Sequence, residues 1–507
     1  MKIDHTFPPG KHYRASILLL SIALIMGACS SGIKPSRVPM DDKTARYDRF
    51  LQALDKETTE AGVNNAAVGR LDGLAFLRAD RFLCGLKDRV STAAEKDLWI
   101  DWMRAEDAAA RCGEILCLPA ESRERLSRLA GVPPAADELA DYAETAAAAL
   151  LAARRKQPDF HEAVTAAMEC PQVYETWMRA VGAYPLTALP VVYLTRKAHR
   201  RMSDWLSKPP GPIPPGSESV CYLPEKAPVL SEEEIGRILS ASSDNALAVP
   251  RPDTVARRML AENFAPTITQ EISGDSDRFG TIQWRDKNIR VDEERSAIYW
   301  YCTNAFYRGK PVLQINYAVW YAARQGPKSP WLERGPLDGL TVRVTLDGSG
   351  RPVMADIMNN CGCYHFFVPA EGTIKRIKPQ SFAIDAFSPM TLPSSFPENR
   401  LNVHVNADWH QVVGLTADPV PADGTICSLV PYETLEMLPT DNGGHASLFN
   451  TSGIAKESTR IEPYILFSMG IPKVGSMRQR GHHALTLVGR SYFSDPDLMD
   501  KNFEYNE

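Results

Sequence analysis

The chain of 507 residues sets 57 Lys and Arg against 62 Asp and Glu, for a net charge of −5. With no basic stripe, that balance excludes an electrostatically driven nucleic-acid binder. A hydrophobic fraction of 44% and a charged fraction of 23% are those of globular domains with proper cores.

Lys2, Lys11 and Arg14 precede an unbroken small and apolar run, residues 15–28. It is too short to span a bilayer as a helix and fits the apolar region of a secretory leader. No later apolar run approaches the ~18 residues a membrane span needs. The run ends in Leu24-Ile25-Met26-Gly27-Ala28-Cys29-Ser30. This resembles the lipobox of bacterial lipoproteins, although Met26 stands where Leu or Val is usual. The resemblance implies a signal peptide over 1–28 and a lipid-modified (palmitate-type) Cys29 as the mature N-terminus. Ser30 implies sorting to the outer membrane, with the body facing the periplasm. More than one acyl chain on Cys29 makes such an anchor stable. The competing reading is an ordinary signal peptide with a chance cysteine. Residues 29–43 read as a polar tether.

Residues 44–207 read as a helical domain. Tyr47, Phe50, Leu51 and Leu54 follow helical spacing, as do Leu98, Trp99, Trp102 and Met103. Residues 135–155 are alanine-rich with strong helix propensity, and 187–206 form another helix with a basic surface at Lys197–Arg201. Residues 208–230 hold seven prolines and read as a linker. Ser231 and Glu234 then form a capping-box pattern, opening short helices within 231–278.

From 279 to 507 the period changes to two. Leu313, Ile315, Tyr317, Val319 and Tyr321 lie on one side of a long predicted strand. Val342, Val344 and Leu346 mark another, returned through Asp347-Gly348-Ser349-Gly350 as a hairpin. Val403 and Val405 alternate with His404. The expected fold class is α+β, an irregular helical N-terminal domain followed by a mainly antiparallel β-rich one, with residues 493–507 peripheral.

Chemistry concentrates at Asn359-Asn360-Cys361-Gly362-Cys363-Tyr364-His365. An extended backbone puts Cys361, Cys363 and His365 on one face, and a bend at Gly362 brings the sulfurs closer. The plainest expectation is a structural disulfide from Cys361 or Cys363 to Cys302 or Cys427. Likewise, Cys112 and Cys117 would pair with Cys84 and Cys170. Nine cysteines follow Cys29, so at least one thiol stays out of any intramolecular set of disulfides. A second reading closes a Zn or Cu shell from Cys361, Cys363, His365, His404 and His410, since thiolates and imidazoles suit those metals. A third is a strained, exchangeable disulfide. Tyr299, Trp300, Tyr301, Phe306, Tyr317, Trp320, Tyr321 and Trp331 are candidates for a glycan- or peptide-binding groove. No metalloprotease, hydrolase-elbow or phosphate-loop motif is present.

The phrases Tyr184-Pro185-Leu186-Thr187, 337–347 and Cys361-Gly362-Cys363-Tyr364-His365 resemble uncharacterised proteobacterial lipoproteins. That resemblance implies the domain layout and no particular activity. The functional expectation is a non-enzymatic binding or assembly protein of the cell envelope, with an envelope protein or glycan as partner. The alternative is a metal-binding protein or metalloenzyme. Residue patterns alone leave open whether it is an enzyme.

Overall fold

The structure is a computed structural model describing residues 41–208, 218–225, 229–380, 383–393, 400–417 and 423–506. The predicted leader, Cys29 and most of the tether and linker lie outside the described residues. The fold is α+β, as composition and periodicity indicate.

Helix α1 (Asp42–Ala61) is capped by Asp41, which accepts from Thr44 N, and stops at Gly62 with φ 66°. It buries Tyr47, Phe50, Leu51 and Leu54, the predicted stripe. A hairpin interrupts the expected run of helices: β1 (Gly69–Leu71) and β2 (Leu74–Ala79). Next come α2 (Arg81–Leu86), α3 (Ala93–Cys117), α4 (Ala120–Ala130), α5 (Ala136–Arg154), α6 (Phe160–Ala167), α7 (Thr176–Val181) and α8 (Tyr184–Leu206). Arg78 of β2 ties this half together from inside. It reaches Asp107 at 2.8 Å and Glu114 at 2.7 Å, while Arg111 meets Asp107 at 2.8 Å.

The second half is one mixed sheet of ten strands. Its strands include β3 (Glu218–Pro224) and β4 (Thr267–Ile272), which flank α9 (Glu232–Ser242) and α10 (Thr254–Phe264) in the chain. A small separate hairpin, β5 (Thr281–Arg285) and β6 (Asn288–Asp292), comes next. The antiparallel run is β7 (Ala297–Tyr307), β8 (Lys310–Arg324), β9 (Gly335–Leu346), β10 (Pro352–Asn359) and β11 (Phe366–Pro369). Outside the large sheet lies β12 (Ile374–Ile377), and the sheet is completed by β13 (Asn402–Val405), β14 (Val412–Thr416) and β15 (Thr425–Pro431). The last of these runs parallel to both β7 and β3 and joins the two halves of the sheet. Strand β3 lies where proline content predicts a linker, because Val220, Tyr222 and Leu223 give it an apolar stretch to pair with β4.

Both faces of the sheet are covered. Leu313, Ile315, Tyr317, Val319 and Tyr321 pack on α8, α9 and α10. Ala318 and Trp320 on the other face meet Tyr432, Leu435, Leu448 and Phe449. The acidic tail is core rather than periphery: Leu498, Met499 and Phe503 bury against Val353 and Phe367.

Two buried ion pairs cross the central strands. Arg343 faces Asp356 in register between β9 and β10, at 2.6 Å, and Arg324 meets Asp338 at 2.8 Å. Removing one member of such a pair strands its partner's charge in the interior. Arg343→Met is expected to cost about 3–5 kcal/mol in urea unfolding. Arg343→Met with Asp356→Leu should recover more than half of that loss.

Candidate functional site

Strand β10 ends at Asn359, and Asn360 anchors the turn beyond it. The Asn360 side chain donates to Val319 O at 3.1 Å and accepts from Thr341 Oγ1 at 2.7 Å, tying this turn to β8 and β9. Gly362 then bends the chain at φ 93°, and an added Cβ would lie 2.3 Å from Ala484 O. Cys363 N points back to Cys361 Sγ at 3.4 Å. The segment is therefore a tight turn between β10 and β11, and the two thiols share a hydrogen bond.

That hydrogen bond from Cys363, aided by the Arg324 charge, draws the Cys361 thiol below its ordinary value despite burial. Cys363 moves well above it, because its proton is held by Cys361 and because it is buried. All nine described cysteines are free thiols, so the expected staples from Cys361 or Cys363 to Cys302 or Cys427 do not form. Cys302 and Cys427 sit elsewhere in the sheet, on β7 and β15. The disulfides expected among Cys84, Cys112, Cys117 and Cys170 are also absent. Cys84 faces Cys170, within hydrogen-bond reach of its thiol, and Cys112 is exposed.

The five residues considered for a metal do not form one shell. His365 Nε2 lies 2.9 Å from Asp356 Oδ2 and extends the Arg343 pair. His410 is held between Asp338 at 2.8 Å and Asp277 at 3.1 Å, stacked on Tyr321. His404 lies on β13, opposite Gly414 and Thr269. Among the described residues, no three His, Cys, Asp or Glu side chains are grouped to hold a metal ion. His410 answers the charge of buried aspartates instead, whereas burial lowers the His365 imidazole, which hydrogen-bonds Asp356. Burial pulls the His410 imidazole down, but its bonds to Asp277 and Asp338 leave it raised. Asp277, pushed up by burial, is brought to about 2 by His410 and backbone N–H donors.

What Cys361, Cys363 and His365 do share is a cavity of about 480 Å³ between α8, the Cys-Gly-Cys turn and residues 462–491. The greater part of its surface is apolar, with Val191, Leu194, Ile384, Leu466, Val474 and Leu487 on it. Charged side chains share the wall, among them Glu333, Asp385, Glu462, Arg490, Asp495 and Lys501. His199 of α8 stacks on Phe387 at 4.2 Å and is lowered to about 4 by burial and then by His365. Glu333 accepts from Tyr364 Oη at 2.6 Å and Trp409 Nε1 at 2.8 Å, and pairs with Arg324 at 2.6 Å. Burial, then the charges of Cys361 and Glu333, push the Glu462 carboxyl up to about 8. No sequence pattern marks Glu333 or Glu462, since each sits in a short helical turn far from the other in the chain.

A second cleft of about 550 Å³ lies between the helical half and the sheet. Several of its charges are matched, with Glu106 on Arg251 at 3.1 Å and Arg480 on Glu433 at 2.8 Å and Glu436 at 2.9 Å. Asp80 and Glu106 are both raised by burial, and the Asp80 charge raises Glu106 further. The aromatic groove is not built: of its eight candidates, Tyr299, Tyr301, Phe306, Tyr317, Trp320 and Tyr321 are buried in the core.

No family model, curated protein or solved structure matches the chain.

Gly362→Ala meets both a left-handed φ and a backbone carbonyl, and should cost about 2 kcal/mol or more in denaturant unfolding. Glu462 gives a pH signature. Its folded value of about 8 exceeds the ~4.3 of an unfolded chain. The folded state therefore holds an extra proton between those values, and stability is lost as pH rises through them. Glu462→Gln should melt like the parent at pH 4 and roughly 2–4 °C higher at pH 9.

Proposed function

We propose that this chain is a binding protein of the bacterial cell envelope, tethered to the outer membrane through Cys29, that takes an apolar ligand in the cavity beneath α8. The observation that carries the reading is the cavity: about 480 Å³ with a predominantly apolar surface, inside the ~300–1,000 Å³ range of small-molecule sites. Polar groups in the same wall, His199, Glu333 and Glu462 among them, supply contacts that orient a largely apolar guest. Glu462 at about 8 and the neutral imidazole of His199 carry little charge near pH 7, while Glu333 is held by Arg324. The polar cleft is the weaker candidate, because several of its charged groups already pair within the protein. The reading assigns no chemical step, and the dithiol serves as part of the wall.

Titration with a fluorescent fatty acid such as cis-parinaric acid tests this directly. Saturable binding is expected, lowered at least tenfold by Ala198→Phe, which projects a ring into the cavity, with the melting temperature kept. Binding that Ala198→Phe leaves untouched would move the ligand out of this cavity.

A further inference from the structure

Among the described residues, nothing packs on the outer face of α8. Ala188, Val191, Met202 and Leu206 bury one side of the helix. At 100° per residue, Leu186, Leu189 and Tyr193 fall on the opposite side, with Leu194 at its margin. These four, with Val181 and Trp177 of α7, are each more than half exposed. Tyr464 and Ile465 of α11 (Glu462–Ile465) extend the same surface and are also mostly exposed. The three helices are joined through the turn Phe467–Met469, on which Trp177 packs edge-on at 5.8 Å. Scattered apolar residues on a surface are ordinary, but a continuous set on adjoining helices marks a contact face.

Charge then selects the partner. Along the same helix, the apolar residues give way to Arg196, Lys197, Arg200 and Arg201, all exposed, against the single acidic residue Asp204. A band of Leu, Trp and Tyr bordered by Lys and Arg suits a bilayer interface, with rings and aliphatic groups among the acyl chains and cations at anionic headgroups. A protein partner would need shaped complementarity, whereas this surface offers flat helix faces and long cationic side chains.

We infer that α7, α8 and α11 form a face that docks on an anionic phospholipid surface. Leu194 and Ile465 belong both to this face and to the cavity wall, so the docked surface borders the apolar site. On the reading of the preceding subsection, on which this ligand source rests, the guest is a membrane-borne acyl chain.

Co-sedimentation of the mature chain from residue 30, without its acyl groups, decides the matter. Vesicles of phosphatidylglycerol and phosphatidylethanolamine are compared with phosphatidylcholine alone. The expected result is partition to the anionic vesicles, weakened at least tenfold by Leu186→Asp/Leu189→Asp and by Lys197→Glu/Arg200→Glu. Both pairs are surface changes, and unaltered melting curves would verify the fold. Added salt should weaken binding of the parent chain. Absence of partition, or equal partition of parent and variants, would overturn the proposal. So would a concentration-dependent dimer abolished by Leu186→Asp/Leu189→Asp, which would make the face a self-interface. Fatty-acid titration without vesicles separates the two readings: if Ala198→Phe binds vesicles normally yet the parent takes no fatty acid, the cavity reading fails and the docking face stands.

Discussion

Two buried chains of arginine, aspartate and histidine hold the centre of this protein. In one, Arg343 of β9 pairs with Asp356 of β10, and Asp356 also meets His365. In the other, Arg324 of β8 pairs with Asp338 of β9, and Asp338 meets His410, which continues to Asp277. Charges this deep are tolerated only when each is neutralised and hydrogen-bonded. Each histidine belongs to a turn, so neutralising the strands also fixes the turns. The Cys-Gly-Cys bend is thereby pinned at one end through His365 and at its Tyr364 through Glu333, itself bound to Arg324. The cavity wall is rigid because the sheet's charges require it.

Local regularities are legible in the residues themselves. The buried stripe of α1, the Ser231–Glu234 capping box and the β9–β10 hairpin follow from spacing and turn chemistry over a few residues. Of the two conformations open to the Cys-Gly-Cys segment, the left-handed φ of Gly362 selects the bend. The histidines are harder to read, for a physical reason. An imidazole looks the same in sequence whether it ligates a metal or neutralises an aspartate, and only the pairing of distant strands brings Asp338 to His410. Cysteines carry the same ambiguity, because spacing alone does not place Cys302 on a strand remote from Cys361. Proline content hides strand β3, and net negative charge hides the buried tail, although Leu498, Met499 and Phe503 supply it with a core face.

The two cavities differ in what they lack. In the cleft between the halves, carboxylates and guanidinium groups satisfy one another, so a guest would have to displace existing pairs. Beneath α8 the greater part of the surface is apolar, so a guest of matching polarity gains by excluding water. The contrast also explains why the more polar cleft, with the raised carboxyls of Asp80 and Glu106, does not lead the functional reading.

The position of β15 has a consequence for how the chain is made. It is the last strand of the large sheet in sequence and sits between β7 and β3, parallel to both. Until residues 425–431 emerge during synthesis, the two parts of the sheet present open edges to one another with nothing to join them. Edges of that kind invite wrong pairing, and contacts so distant in sequence form slowly. The chain thus waits on this late strand before the sheet can close, which makes the interval before it arrives the time of greatest exposure to proteases and to other unfinished copies.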